Sequence, residues 1–184
     1  MNADGSFKHV KIGEKEYWGE KLLAKSDQLI RTAYFGEEGE DKDYALDFVW
    51  YMWCGANSPL FDKDKMAAFE SYFVNDDELK KEKKGEYYTL RNRADICDNI
   101  LREFGVEPNE HSHIINGHVP VRTLKGEEPI KADGKMLVID GGFSKAYQPK
   151  TGIAGYTLVY HSHGFELVQH EPFQSSQKAI LEGQ

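Results

Sequence analysis

Apolar positions along this 184-residue chain change their period part-way. Phe7 to Ile12 and Glu16 to Trp18 flank Gly13, the pattern of a small hairpin. Leu22, Leu29, Ile30, Ala33 and Tyr34 then fall on one helical face, which predicts a helix over 19–34. The acidic, glycine-containing stretch from Gly36 to Asp43 reads as a loop. Tyr44 to Trp53 is apolar on nearly all sides, so it is expected to be buried, as helix or strand, with a helical first half. Trp50 and Trp53 are expected in the core. Lys65 to Phe73 predicts a short amphipathic helix. Asn92 can cap a further helix with Asp95 three residues on, and Cys97, Ile100, Leu101 and Phe104 form its apolar stripe. Gly105 and Pro108 end it.

From His113 the period shortens to that of strands, expected at 113–116, 121–124, 136–140, 154–162 and 165–170. Gly164 sits where the last two would turn into a hairpin. Gln174 to Leu181 predicts a short tail helix. The chain therefore reads as α/β, with a mainly helical portion over 1–110 and a strand-rich portion over 111–184.

Composition narrows the class. A hydrophobic content of 40% with 12% aromatics indicates a folded chain long enough for one sizeable core. A net charge of -8 argues against a nucleic-acid backbone as partner. The basic cluster Lys80 to Lys84 is diluted by Asp76, Asp77, Glu78, Glu82 and Glu86, and reads as a solvated loop or frayed helix end. No run reaches the length of a membrane span, and the polar stretch from Met1 to Lys11 has no signal-peptide pattern. Cys54 and Cys97 lack metal-site spacing and are expected as buried free thiols, as in a cytosolic protein.

The chemistry-bearing segment is Ile115-Asn116-Gly117-His118-Val119-Pro120-Val121, followed by Ile139-Asp140-Gly141-Gly142-Phe143. A glycine before the histidine permits a sharp turn, with positive φ if required. The imidazole of His118 would then project from a strand end, with one nitrogen free for a metal. By its residues alone His118 is a turn residue or a ligand. His111 with His113, and His161 with His163, place pairs of rings on one strand face, but two ligands do not hold a catalytic ion. Both pairs read as strand-entry or hairpin histidines. Gly141 and Gly142 could let backbone approach a phosphate, yet no nucleotide-cradling glycine motif is present. Asn57-Ser58-Pro59 is a strong turn signal.

These segments resemble a known family. The run from Trp50 to Phe61, the run Lys131 to Gln148 around Ile139-Asp140-Gly141-Gly142-Phe143, and Thr151 to Leu158 are similar, in order, to blocks of the class III fructose-1,6-bisphosphatases. Those enzymes fall within the calcineurin-like metallophosphatases. The early metal-binding segments of that superfamily (Asp-x-His, Gly-Asp-x-x-Asp-Arg-Gly, Gly-Asn-His-Glu/Asp) are absent here, and family members are much longer. The resemblance therefore implies a C-terminal part of such an enzyme, inactive by itself. It implies part of an α/β/β/α sandwich with a helical insertion or cap, packed on a missing N-terminal part, with self-association left open.

The reaction it implies is hydrolysis of fructose 1,6-bisphosphate to fructose 6-phosphate and phosphate, a gluconeogenic step in the cytoplasm. The cofactor would be a pair of divalent metals, manganese by expectation, with His118 as one ligand. Arg91 would grip phosphate, with Arg93 the second choice and a surface arginine at a helix start the alternative. Lys145 and Tyr147, just after the Asp-Gly-Gly turn, would contact the sugar phosphate; a solvated lysine and a packed tyrosine are the alternatives. Asn57 and Ser58 lie in a block that lines the family's pocket. Two other readings stay open: a calcineurin-like phosphatase acting on phosphoproteins or dinucleotides, and a non-catalytic module derived from one.

Overall fold

The N-terminal hairpin forms where the alternation put it: Gly13 turns the chain at a φ of +62°, which glycine reaches without strain. In this computed structural model β1 (Val10–Ile12) pairs antiparallel with β2 (Lys15–Tyr17), Lys11 opposite Glu16. The structure describes residues 1–117, 120–141, 152, 155–170 and 175–182. The chain is mixed α/β and divides into two compact units. One comprises residues 1–91 and 102–106; the other comprises 92–101 and 107–184.

The first unit is built on two helices, α1 (Gly19–Phe35) and α2 (Glu40–Cys54). Gly39 precedes α2 at a φ of 152°, and Glu40, Asp41 and Asp43 place negative charge on its first turn, where the helix dipole favours it. Leu29 and Ala33 of α1, Ala45 and Phe48 of α2, and Ile12 of β1 form the buried cluster. Leu22, Val49, Tyr51 and Met52 pack against it. Ser26 joins the buried face of α1 because its hydroxyl donates to the Leu22 carbonyl at 2.8 Å.

The helical period also overturns an expectation. Positions 45, 48 and 52 face the cluster, so positions 46, 50 and 53 centre on a direction roughly 130° away around the helix. Trp50 is 61% exposed and Trp53 53% exposed, not buried in a core of this chain.

Beyond α2 the backbone from Asn57 to Ala67 is stitched to residues 82–87 by carboxylates. Asp62 accepts the Tyr87 N–H at 3.1 Å, and Asp64 accepts the Lys83 N–H at 2.7 Å. Glu82 takes the Lys63 ammonium at 2.7 Å and the Ala67 N–H at 3.0 Å. The segment expected as a solvated basic loop is therefore half of a strap, with a bridge between Lys63 and Lys84. The short helices α3 (Ala68–Phe73) and α4 (Tyr87–Leu90) hang from it.

Helix α5 (Ala94–Glu103) starts two residues after the expected cap. The Cys97 N–H donates to the Arg93 carbonyl, and the Asp95 carboxylate takes the Arg93 guanidinium through a fork at 3.0 and 2.5 Å. The carboxylate that a capping box would turn back to the Asn92 N–H is held by Arg93 instead. Ile96, Cys97 and Leu101 are buried, whereas Phe104 lies past the helix end, 39% exposed.

In the second unit β3 (Ile114–Asn116), β4 (Ile130–Lys131) and β5 (Met136–Val138) make a three-stranded sheet in the order β3-β5-β4. β3 runs parallel to β5, Ile115 opposite Leu137; β4 is antiparallel to β5 and had no sequence signal. Met136, Leu137 and Val138 are all buried, as an apolar run central to a sheet should be. The strand expected over 121–124 is absent. Val121 is buried, but Thr123–Lys125 forms a 3-10 turn ended by Gly126 at a φ of 72°. The Glu127 carboxylate holds that turn by accepting the Arg122 N–H at 3.1 Å. β6 (Tyr156–His161) and β7 (Gly164–Gln169) form the expected hairpin, and α6 (Ser176–Glu182) the tail helix.

Two stability predictions follow from this packing. Phe48→Ala removes a buried ring from the α1–α2 cluster and should cost about 3–5 kcal/mol, read as a lower urea midpoint with helical circular dichroism retained in water. Burial pushes the Glu82 carboxyl up, but the bonds from Lys63 and the Ala67 N–H outweigh it and hold it below the ordinary glutamate range. A depressed carboxyl stabilises the fold above its unfolded pKa, and that contribution is lost as pH falls through the folded one. Glu82→Gln should therefore lower stability by about 1 kcal/mol near neutrality, the gap to wild type closing below about pH 4. A thermal-melt series across pH checks this; a gap that widens in acid would contradict it.

Candidate functional site

The parallel register of β3 and β5 brings the carboxyl ends of both strands to one edge. Asn116 ends β3 opposite Val138, and the Ile139 N–H donates to the Asn116 carbonyl at 2.9 Å. The Val121 N–H donates to the Asp140 carbonyl at 3.0 Å. Both ends of the Gly117–Pro120 segment are thus tied to the chain that leaves β5 as Asp140-Gly141. Ligands of parallel sheets collect at the carboxyl ends of the strands, and this is such an end. Gly117 does not use a positive φ, and a Cβ there would meet nothing within 4 Å. Neither backbone conformation nor space demands glycine; it leaves open room beside the strand ends.

His118, Lys145 and Tyr147 lie outside the described residues. Arg91 is described, and not where the sequence suggested. It closes the C-terminal end of α4 instead of opening a helix, and it is only 5% exposed. Its guanidinium carbon sits 5.8 Å from the centre of the Tyr88 ring, and the Tyr88 hydroxyl donates to the Phe61 carbonyl at 3.0 Å. Tyr88 is the residue the sequence reading missed. The signal was available, since an aromatic three positions before an arginine shares its helical face. Arg93 is an exposed partner of Asp95.

The Asn57-Ser58-Pro59 turn lies in the same unit as Arg91. Asn57 takes a φ of 55°, which asparagine tolerates. Ser58 is 1% exposed; its hydroxyl donates to the Met52 carbonyl at 2.7 Å and accepts the Leu60 N–H at 3.2 Å. Both of its capacities serve the turn.

The histidine pairs separate. His111 is 86% exposed beside Glu110. His113 is half-buried, its Nδ1 2.8 Å from the Gly134 carbonyl, its ring edge-on to Phe165. His161 and His163 sit at the β6–β7 turn with ring centres 5.5 Å apart, exposed as expected. Among the described residues no group of three or more His, Cys, Asp or Glu side chains is placed to hold a metal ion. The described residues therefore do not form the ligand set a catalytic divalent ion needs, and metal chemistry would depend on groups beyond them. No helix among them is long and apolar enough to cross a membrane.

Comparison with known proteins assigns the chain. The family model described as Firmicute fructose-1,6-bisphosphatase matches residues 1–184, end to end. The chain belongs to the Firmicute fructose-1,6-bisphosphatase family. It is 75% identical over its whole length to the fructose-1,6-bisphosphatase class 3 of Bacteroides thetaiotaomicron, 28% of which it covers. It is 59% identical to a class 3 protein of Clostridium beijerinckii over 99% of this chain and 27% of that one. The class 3 protein of Porphyromonas gingivalis is 55% identical over 99% of this chain and 28% of the relative. The chain thus spans little more than a quarter of the length of these relatives, and the match falls in their C-terminal part. No solved structure matches it.

The two thiols also part company. Cys54 is half-exposed, its Sγ 3.4 Å from the Trp50 carbonyl, and not buried as expected. Cys97 is fully buried, and burial, with Asp98 and Asp95 adding to it, pushes its thiol up to about 11. A disulfide-exchange reagent near pH 8 should label Cys54 in the native chain at least about 100-fold faster than Cys97, because only thiolate reacts. Denaturant should equalise the two. Equal native rates, read by mass spectrometry, would contradict the burial.

Proposed function

We propose that this chain is the C-terminal portion of an enzyme that hydrolyses fructose 1,6-bisphosphate to fructose 6-phosphate and phosphate, a gluconeogenic reaction of the cytoplasm. The observation that carries this reading is the end-to-end match to the family, with relatives named fructose-1,6-bisphosphatase class 3. In this reading the β3–β5 strand ends belong to an α/β/β/α metallophosphatase sandwich completed by the rest of the polypeptide. His118, which follows Gly117 in the sequence, is a ligand of a divalent ion, manganese for preference, whose other ligands lie elsewhere in the enzyme. Arg91, Lys145 and Tyr147 bind the phosphorylated sugar. A guanidinium pairs with two phosphate oxygens through a planar fork, whereas an ammonium acts as a point charge. The chain carries a net charge of -8, so an anionic substrate is held by local cations against the overall field.

The isolated chain should release no phosphate from fructose 1,6-bisphosphate with manganese present, above a His118→Ala control. The full-length polypeptide should turn the substrate over and lose both bound metal and kcat on His118→Ala, with His113→Ala nearly silent. Equal metal content and rate in wild type and His118→Ala would remove the ligand role. Arg91→Lys in the full-length enzyme separates two roles for that residue. A phosphate contact raises KM roughly tenfold or more at unchanged Tm; a brace for the Tyr88–Phe61 turn lowers Tm at unchanged KM.

A further inference from the structure

Leu46, Trp50 and Trp53 recur at i, i+4 and i+7 along α2, the spacing of one helical face. This face lies to the side of the one that Ala45 and Phe48 bury against α1, so α2 is apolar in two directions. The three side chains are 47%, 61% and 53% exposed. The two indoles already touch, edge to face, with centres 5.2 Å apart. Exposed Asp43 and Asp47 border the stripe on the same helix. An apolar centre with a polar border, rich in tryptophan, is the composition of a buried contact surface. Exposed apolar patches rimmed by polar residues mark interaction sites.

We propose that the Leu46–Trp50–Trp53 face of α2 is the surface on which this segment docks against the remainder of its own polypeptide. The proposal rests on the reading of the chain as a portion of a longer enzyme. The occupant follows from length, since the relatives carry nearly three-quarters of their residues outside the matched segment. A covalently joined neighbour also has a high effective concentration, so it outcompetes a second copy for the same face. Preformed contact between the two indoles lowers the ordering cost of docking. The surface opposite them should be apolar, with no charge at its centre.

Hydroxyl-radical footprinting tests the idea on the full-length polypeptide and on this chain. Trp50 and Trp53 should be oxidised at least fivefold more slowly in the full-length protein, independent of concentration. Equal rates in the two would overturn the proposal. So would protection within this chain alone that grows with its concentration, which identifies a second copy as the occupant. Trp50→Glu/Trp53→Glu in the full-length protein should also speed proteolysis around α2 at least fivefold, while Tyr72→Glu/Phe73→Glu on α3 should not. Unchanged proteolysis in the first pair overturns it as well. Phosphate release from fructose 1,6-bisphosphate is measured separately. Protected tryptophans in an enzyme without that activity would remove the functional reading and leave the docking surface standing.

Discussion

Parallel pairing of β3 with β5 is the constraint on which the candidate site depends. Ile114, Ile115 and Asn116 lie opposite Met136, Leu137 and Val138. A slip of one residue would turn the buried side chains of β5 to the opposite face. All three β5 residues are buried, so the alternation that specifies the register is that of β3, half-buried at Ile114 and Asn116 and exposed at Ile115. Register in turn decides that Asn116-Gly117 and Asp140-Gly141 leave the sheet side by side. Two segments separated by some 20 residues of sequence become neighbours through backbone hydrogen bonds, with no ligand required to join them.

The first unit solves a different problem. Two helices and a hairpin supply one cluster, and the segments after α2 are stitched together by carboxylates, with Phe61, Ala67 and Leu90 buried as well. Carboxylates at 62, 64 and 82 each accept backbone N–H groups from a distant strand of chain. A buried or half-buried carboxylate that accepts N–H groups is well satisfied, and it fixes backbone geometry more sharply than an apolar contact would. The Asn57-Ser58-Pro59 turn and the Tyr88–Arg91 pair both rest on that strap. Tryptophans that would ordinarily close a core are left outside it, so this unit carries more apolar surface than its own core can bury.

Much of the element order was legible because local patterns and tertiary packing agree there. The Gly13 hairpin, α1, α5, β3, β5 and the β6–β7 hairpin all fall close to their periodic signals. The misreadings share a cause. Val121-Arg122-Thr123-Leu124 alternates like a strand, yet Gly126 and the Glu127 carboxylate turn it. Asn92 and Asp95 match a cap, yet Arg93 claims the carboxylate. Tyr44 to Trp53 is helical throughout, but uniform apolarity could not say which face meets α1. In each case a tertiary contact, not the local pattern, made the decision. Of the candidate site, Asn116-Gly117 and Asp140-Gly141 were readable as glycine-bearing strand ends; their adjacency was not.

The sequence by itself determined the class of chain and its family. Those follow from local composition and from motifs that survive without knowledge of contacts. Tertiary structure alone decided that Arg91 is buried against Tyr88, that Cys97 is shielded while Cys54 is not, and that Trp50 and Trp53 face outward. Burial depends on which faces of neighbouring elements meet, and helical and strand periods constrain that choice without making it.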